Sequence, residues 1–597
     1  MFRPIEDYGV IGDLHTVALV SKTGSIDWMC LPRFDSGACF ANLLGGEGRG
    51  HWRISPRSGE ISKKRRYLKD TLVLETYFES QSGSFKVIDF MPPRLDNPCL
   101  IRIVEGVSGI SQVESELEVR FDYGQTVPWV HRTNDGLNMI AGPHALSLES
   151  SVNLRGRNME TFADFVVESG ERVSFILTYH GSLEPAPRAL DASISLENTV
   201  EYWQNWVLQC RDDFGEYHDV VTRSLITLKA LTYAPTGGIV AAPTTSLPEE
   251  LGGSRNWDYR YCWLRDATFT LYALMVDGYA EEARRWRDWL LRAAAGDPEQ
   301  LQIMYGVAGE RLIPEFELPW LRGYEDSKPV RVGNAASEQF QLDVYGELMD
   351  AFYQFRRSGI PSFNEAWDLE TKVVEFVEKS WNQPDEGIWE IRGPRRDFTY
   401  SKVMAWVALD RAVRVTERFG FDGPTERWKA VRDEIKDEVM AKGYNESVGA
   451  FTQYFGSKSL DAAVLLLPLV GFIRADDPKM VSTVNALEKG LSVSGLLRRY
   501  SDEDEEVDGL KGEEGVFLAC SFWMVDNLAI SGRKEEAKER LDYLLTLGND
   551  LGLFSEEYDV HSKRMLGNFP QAFTHVGIVN TIRNVLNSQS PAKHRAE

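Results

Sequence analysis

The chain has few cysteines, few histidines and no long apolar run. Its six cysteines form no CxxC pair and its nine histidines form no HExxH motif, which argues against a disulfide framework, a zinc site or any other metal centre. Calcium held by carboxylates alone stays open. No stretch reaches the ~18 apolar residues of a membrane span. Acids at Glu6, Asp7 and Asp13 interrupt any apolar leader, so we expect a cytoplasmic protein.

Basic residues are also in deficit, with 66 Lys and Arg against 90 Asp and Glu and a net charge of −24. Such an acidic surface repels nucleic acid and anionic membranes, so neither is expected as a partner. Apolar residues make up 43% of the chain, which excludes a disordered protein. A length of 597 residues predicts two or more domains.

The first third of the chain has the two-residue period of β-strands. Residues 112–123 alternate between apolar and polar side chains, which is typical of a strand with one buried face. Three hairpins are predicted on either side of short turns: 17–20 with 26–29, 72–78 with 85–90, and 162–167 with 173–179. We therefore predict a β-sandwich domain over 1–194, followed by a linker helix over 195–215.

The period becomes helical after the linker, and short connections alternate strictly with long ones. Six antiparallel helix pairs closed into a ring, an (α/α)6 barrel over 216–590 with a tail at 591–597, fit this alternation; an open solenoid of helix pairs is the alternative. Twelve helices are predicted, at 216–234, 265–277, 280–295, 337–358, 364–382, 400–419, 425–442, 457–470, 477–490, 514–532, 533–549 and 569–588.

Antiparallel neighbours place all the long connections at one end of the ring, where we expect function. These connections are 235–264, 296–336, 383–399, 443–456, 491–513 and 550–568. They mix aromatic residues with carboxylates and arginines. Aromatic rings pack on the apolar faces of a pyranose, and charged groups hold its hydroxyls, so the mixture indicates a sugar site.

Glycoside hydrolysis needs one protonated and one ionised carboxyl. Glu390 follows Ile388 and Trp389, whose apolar surroundings favour the protonated state of an acid. Glu556 lies in a polar, acidic segment and suits the role of base.

Each of these residues also has an ordinary structural interpretation. Glu390 fits an exposed loop carboxylate, and Glu556 fits a solvated turn. Arg265 and Asp266 fit an ion pair at the start of a helix, and Arg499 fits a surface residue beside the acids that follow it. Their coincidence on long connections of one face favours the functional interpretation.

Several segments together resemble glycoside hydrolase family 15, the group of glucoamylases, glucodextranases and microbial trehalases. The resemblance runs nearly end to end and implies a β-supersandwich followed by an (α/α)6 barrel, a six-hairpin glycosidase. Its segments are IEDYGVIGDLHTVALVSKTGSIDWMCLPRFDS at 5–36, NWDYRYCWLRDA at 256–267, PDEGIWEIRG at 384–393, SKVMAWVALDR at 401–411, GLFSEEYD at 552–559 and LGNFPQAFTHVGIVN at 566–580.

The resemblance assigns roles to seven residues. Catalysis falls to the acid Glu390, which follows a tryptophan, and to the base Glu556. Substrate binding falls to Tyr259 near the reacting carbon, Arg265 and Asp266 on the 4- and 6-hydroxyls of the non-reducing glucose, Trp389, and Arg499 in the subsite. Fungal glucoamylases have a second glutamate directly after the acid; this chain has Ile391, so the identity of the leaving sugar stays open.

The predicted function is inverting, exo-acting hydrolysis of α-glucosidic bonds without a cofactor. In this mechanism the two carboxyls stand roughly 6.5–9.5 Å apart to admit a water. Trehalose is the first choice of substrate, with malto- and isomalto-oligosaccharides second. A phosphorylase, which has no need of Glu556, and a non-enzymatic sugar-binding protein are the more distant alternatives.

Overall fold

The computed structural model describes residues 2–57, 64–80, 82–134, 136–188, 190–210, 212–276, 278–359, 364–501, 509, 512, 514–586 and 590–596. Strands fill the chain up to residue 181, and helices dominate after residue 192. An N-terminal, mostly sheet domain therefore precedes a helical region, as predicted. In the part of the chain described here, no helix is both long and apolar enough to cross a membrane.

The N-terminal domain is built from antiparallel strands whose alternating side chains form its core. Two short helices, α1 (Asn42–Gly45) and α2 (Phe121–Gly124), interrupt the strands, and α3 (Ala192–Val207) leaves the domain. The strands are β1 Tyr8–Gly12, β2 Val17–Ser21, β3 Ser25–Cys30, β4 Ala38–Phe40, β5 His51–Pro56, β6 Lys64–Tyr67, β7 Leu74–Glu79, β8 Gly83–Phe90, β9 Cys99–Glu118, β10 Trp129–Arg132, β11 Gly136–Ala141, β12 His144–Ser150, β13 Arg155–Arg157, β14 Glu160–Glu168 and β15 Arg172–Gly181.

The long strand β9 organises this domain. Its first half pairs with β8 and β15, and its second half pairs with β5 and β14. The hairpin predicted between 162–167 and 173–179 is wrong, because β14 and β15 run end to end along β9 and do not pair with each other. The Glu171 N–H donates to the Glu168 carbonyl at 3.0 Å, so Ser169-Gly170 is a turn as predicted, but the strands on either side of it both pair with β9.

The helical region places a helix at each of the twelve predicted positions. The eighth is the shortest, a 3₁₀ turn at Ala462–Leu465 followed by one α-helical turn. The helices are α4 His218–Ala230, α5 Leu264–Val276, α6 Ala280–Ala293, α7 Asp343–Arg357, α8 Asn364–Ser380, α9 Thr399–Phe419, α10 Thr425–Glu438, α11 Leu466–Leu469, α12 Pro478–Leu491, α13 Leu518–Ile530, α14 Lys534–Leu545, α15 Ala572–Leu586 and α16 Pro591–Ala596. Short strands lie between them, at Cys262–Trp263, Met304–Tyr305, Phe316–Glu317, Arg331–Val332, Tyr444–Asn445, Ala450–Phe451, Ser492–Val493, Leu496–Leu497, Val516–Phe517, Glu557–Asp559 and Arg564–Leu566.

Six of these helical segments form a series in which each contacts the next and the last contacts the first. Helix α5 packs on α7, α7 on α9, α9 on α11, α11 on α13, α13 on α15, and α15 returns to α5. Helices α6, α8, α10 and α14 pack outside this series, each against its neighbour in the chain. Residues 591–596, predicted as a tail, form α16, which contacts α11 and α15.

Candidate active site

A single pocket is lined by all seven residues that the sequence singled out, namely Tyr259, Arg265, Asp266, Trp389, Glu390, Arg499 and Glu556. Five of the predicted long connections supply lining residues: 235–264, 296–336, 383–399, 491–513 and 550–568. Carboxyls 166 positions apart in the chain therefore share one cavity. Both catalytic candidates face a pocket and not bulk solvent.

The carboxyl group of Glu390 is contacted by two donors. The Trp263 Nε1–H donates to Oε1 at 2.6 Å, and Arg265 Nη2 lies 3.8 Å from the same oxygen. Burial raises the pKa of the Glu390 carboxyl, and Arg265 and Trp263 oppose that rise. The carboxyl thus favours the protonated state that a proton donor needs.

The backbone around Glu390 is strained and firmly held. Glu390 has a φ of 57°, in the left-handed region that non-glycine residues rarely adopt. Arg265 donates to the Ile388 carbonyl at 2.6 Å, and Gln339 Nε2 donates to the carbonyls of Glu390 at 3.2 Å and Ile391 at 2.9 Å. These contacts aim the carboxyl into the pocket.

Glu556 is 1% exposed and accepts two hydrogen bonds. Tyr259 Oη donates to its Oε1 at 2.7 Å, and the Asn568 backbone N–H donates to its Oε2 at 3.3 Å. Burial, followed by the nearby charge of Glu249, raises the pKa of Glu556 to about 8, while Tyr259 and Arg499 lower it. The strength of this carboxyl as a base is therefore set by its charged neighbours.

Arg499 lies among three buried carboxylates. Its Nη2 lies 2.8 Å from Glu249 and 3.6 Å from Glu557, and it also pairs with Glu514. Arg255 reaches Glu514 at 3.6 Å. Among the described residues these three carboxylates are the group whose oxygens lie close enough to hold a cation, and two guanidinium groups already offset part of their negative charge.

Aromatic rings supply the apolar part of the pocket. Tyr259 and Trp263 pack edge to face with centroids 5.2 Å apart, and Trp389 packs against Phe517 at 5.5 Å. The Trp389 Nε1–H donates to Asp461 Oδ1 at 2.9 Å, which fixes the ring. The pocket therefore combines ring faces with charged donors and acceptors, as a sugar site requires.

Arg265 and Asp266 lie in the first turn of helix α5. Their positions fit both the ion-pair interpretation and the substrate-binding interpretation. Arg265 Nη2 lies 3.3 Å from Asp266 Oδ2, and both side chains line the pocket. Burial raises the pKa of Asp266, and Arg265 opposes it. The pair is at once a helix start and a pocket wall.

The N-terminal domain supports the segment that carries Tyr259. Arg260, fully buried, makes a bidentate pair with Asp258 at 2.6 and 2.8 Å and donates to the Ser36 carbonyl at 2.9 Å. Trp28 Nε1 donates to the Pro243 carbonyl at 2.8 Å. The N-terminal sheet domain thereby holds the same loop that positions the Tyr259 hydroxyl on Glu556.

Sequence reasoning missed Glu249, which lines the pocket, and also Glu514 and Gln339, which contact the pocket residues Arg499 and Glu390. None of them lies in a motif with a distinctive spacing, so no signal marks them. Trp263 belongs to a run of alternating aromatic residues, and the sequence alone does not show which of them lie in the core and which line the pocket. The structure places Trp257, Tyr259 and Trp263 in the pocket lining.

Comparisons with known proteins agree with this geometry. Residues 215–583 match the model described as glycosyl hydrolases family 15, and residues 2–192 match one described as trehalase-like, N-terminal. The chain is 37% identical to a Mycolicibacterium smegmatis protein named Trehalase, over 99% of this chain and 92% of that protein.

A Thermoplasma volcanium protein, also named Trehalase, is 36% identical over 97% of this chain and 93% of its own. A crystal structure of a bacterial glucoamylase complexed with acarbose superposes with a TM-score of 0.74 at 13% identity, over 98% of this chain and 94% of that one, which shows a shared fold alone. With its family model matched over residues 215–583 and relatives this similar over nearly its whole length, the chain belongs to glycosyl hydrolases family 15.

Proposed function

We propose that the protein is an inverting hydrolase that releases glucose from the non-reducing end of α-glucosides, with trehalose as its substrate. The observation that carries the proposal is the presence of two carboxyls, the partly exposed Glu390 and the buried Glu556, in one pocket with different hydrogen-bond partners. The names of the relatives that match nearly the whole chain support the choice of trehalose.

Residues already in the pocket supply each role. Arg265 and Asp266 hold the hydroxyls of the non-reducing glucose, and Tyr259, Trp389 and Arg499 complete its site. Glu390 is the proton donor and Glu556 is the base. Trp263 stabilises the carboxylate that Glu390 becomes after it has lost its proton.

Hydrolysis then follows in one displacement. Glu390 transfers its proton to the glycosidic oxygen as the bond from that oxygen to the anomeric carbon breaks. A water attacks the opposite face of the carbon while Glu556 takes one of its protons. The held glucose leaves as the β-anomer, and the other glucose of trehalose keeps its α configuration.

We further propose that the helical region is a closed (α/α)6 barrel over 216–590, since α15 returns to contact α5. This contact argues against an open solenoid, whose end repeats do not touch. The remaining proposed units are a sandwich at 1–194, a linker at 195–215 in which helix α3 ends at Val207, and a segment at 591–597. A cytoplasmic location is proposed because all six cysteines are free of disulfide bonds.

Proton NMR of fresh product tests the proposal. Trehalose should give α- and β-glucose in equal initial amounts, and maltose should give β-glucose from its non-reducing end, in both cases without added phosphate. Formation of the α-anomer alone from trehalose would mean retention and would overturn the mechanism. Glucose 1-phosphate formed only with phosphate would indicate a phosphorylase, and binding without glucose release would indicate a sugar-binding protein.

Malto- and isomalto-oligosaccharides are the second candidate substrates. A Kribbella flavida protein named Isomaltose glucohydrolase is 24% identical over 54% of this chain. The same NMR assay with trehalose, maltose, isomaltose and soluble starch ranks them by kcat/KM. A higher kcat/KM for isomaltose than for trehalose would transfer the proposal to this second class.

A further inference from the structure

Three side chains that line the pocket differ in their exposure to solvent. The side chain of Asp266 is 7% exposed, that of Glu390 is 18% exposed, and that of Arg392 is 28% exposed. Under the proposed function, the glucose that is cleaved off lies at the closed end, beside Asp266. The leaving sugar must then lie beyond Glu390, on the side of Arg392.

On the side of Arg392, that residue and Trp257 contact each other. The Arg392 guanidinium carbon lies 5.0 Å from the centroid of the Trp257 ring, and both residues line the pocket. Arg331 lies 4.6 Å from the same ring. Glu315 bridges the two arginines, at 3.6 Å from Arg331 and 3.4 Å from Arg392. The ring and both cations therefore form one fixed group, held by a single carboxylate.

The two arginines differ in what else they bind. Arg331 donates to the carbonyls of Asn256 at 2.9 Å and Ser254 at 3.1 Å, so its donors hold the loop. Among the described residues, the hydrogen-bond partner of Arg392 is Glu315, at a long 3.4 Å. Since a guanidinium carries five N–H donors, most of those on Arg392 form no hydrogen bond with the part of the chain that the structure describes and can bind a ligand.

Ile391, which directly follows the proton donor Glu390, is not suited to bind the leaving sugar. Ile391 is apolar and 2% exposed, and its carbonyl already accepts from Gln339. Arg392 is the next residue along the same loop. A planar fork of donors suits the neighbouring hydroxyls of a pyranose, and the Trp257 ring gives that sugar an apolar contact.

We infer that Arg392 and Trp257 form the binding site for the leaving sugar, a glucose unit in the case of trehalose, and that Arg392 determines how well this sugar is recognised. The inference rests on the proposed hydrolysis of α-glucosides. It adds the second half of the substrate to a site whose assigned residues hold the first half.

The test compares trehalose with α-D-glucosyl fluoride, whose leaving group contains no sugar. Hydrogen bonds to a charged group contribute about 1.5–3 kcal/mol. Replacement of Arg392 by Met should therefore lower the ratio of kcat/KM for trehalose to kcat/KM for the fluoride by about 10- to 100-fold. Arg392→Lys should recover part of the ratio, and Trp257→Phe should lower it by a smaller factor.

Arg395→Met is the matched control. Arg395 lies on the same loop, pairs with Glu386 at 2.9 Å, and is 48% exposed outside the pocket lining. Its replacement should leave the ratio unchanged. An equal loss on both substrates in Arg392→Met, or no loss on trehalose, would overturn the inference. Failure of the wild-type protein to release glucose from trehalose would instead overturn the proposed function.

Discussion

At the scale of single residues, the two glutamates differ in what their loss removes. Glu390→Gln cannot donate a proton, so kcat on trehalose should fall at least 10²-fold, within the ~10²–10⁴ of general acid–base catalysis. Fluoride departs with little protonation, so the same variant should lose less on α-D-glucosyl fluoride. Glu556→Gln should lose both activities, because water attacks in both reactions. Initial rates on the two substrates check this, and near-native turnover of trehalose by either variant contradicts the assignment.

Glu249 sets the pH dependence through Glu556. Its negative charge raises the pKa of Glu556, and it also engages Arg499, which would otherwise favour the ionised base. Glu249→Gln removes the charge and one of the three carboxylates that engage Arg499, and both effects lower the pKa of Glu556. The base is then ionised at lower pH, so the acidic limb of the kcat/KM profile should move to lower pH.

A pH profile of kcat/KM for trehalose measures this shift. Glu446→Gln is the control, since Glu446 is 84% exposed and pairs only weakly with Lys479 at 3.3 Å. Its profile should match the wild type. A limb that moves to higher pH in Glu249→Gln would show that Glu249 does not act on the base through its charge.

These residues show how far the sequence predicts the site. Glu390 and Glu556 could be found because the chemistry needs two carboxyls and each lies in a distinctive segment. Glu249 could not, because its effect depends on burial beside Arg499, and the two are 250 positions apart. The influence of a buried charge depends on distance and dielectric, which spacing in a sequence does not record.

At the scale of elements, the segment 257–263 connects the two domains. Arg260 pairs with Asp258 in a fully buried site and touches Ser36 of the N-terminal domain. Its neighbour Tyr259 bonds to Glu556. Arg260→Met would leave the Asp258 charge buried without a cation, a loss of about 3–5 kcal/mol in the free energy of unfolding. Chemical denaturation should detect it, together with a fall in kcat.

The double variant Asp258→Asn with Arg260→Met provides the control for this prediction. It removes both charges, so it should be more stable than Arg260→Met alone. If the two proteins are equally unstable, the loss comes from packing and not from the unpaired carboxylate.

Helices were easier to predict than strand partners for a physical reason. The helix α9 carries its own hydrogen bonds and ends where Gly420 adopts a φ of 71°, so local sequence is enough to place it. Strands β14 and β15 were placed correctly, but their partner β9 lies elsewhere in the chain. A Ser-Gly turn can join two strands that pair with each other or two strands that both pair with a third, and only the distant strand decides between them.

At the scale of the whole molecule, helix α16 packs against α11 and α15, two helices of the inner series. Arg595 is 3% exposed and lies 2.7 Å from Asp350, which Arg411 also contacts at 2.7 Å. Composition could not predict this, because residues 591–597 are short, polar and free of any motif. A charge on a short polar segment stabilises the interior only when the fold places an opposite charge beside it.

Arg595→Met should therefore destabilise the whole fold. Burial opposes ionisation of Asp350, but Arg411 and Arg595 together lower its pKa to about 2. A folded-state pKa below the ordinary ~3.9 means that this stabilisation is full above about pH 4 and is lost as the pH falls through 2. Arg595→Met should lower the free energy of unfolding by about 3 kcal/mol at pH 7, with Arg411 limiting the loss, and the difference in this free energy from wild type should narrow toward pH 2.

Denaturation at several pH values measures both effects. Arg474→Met, which replaces an exposed arginine paired with Asp476, is the control for lost charge. A gap that is the same at every pH would mean that Arg595 stabilises the fold through packing on Phe269 and Tyr272 and not through Asp350.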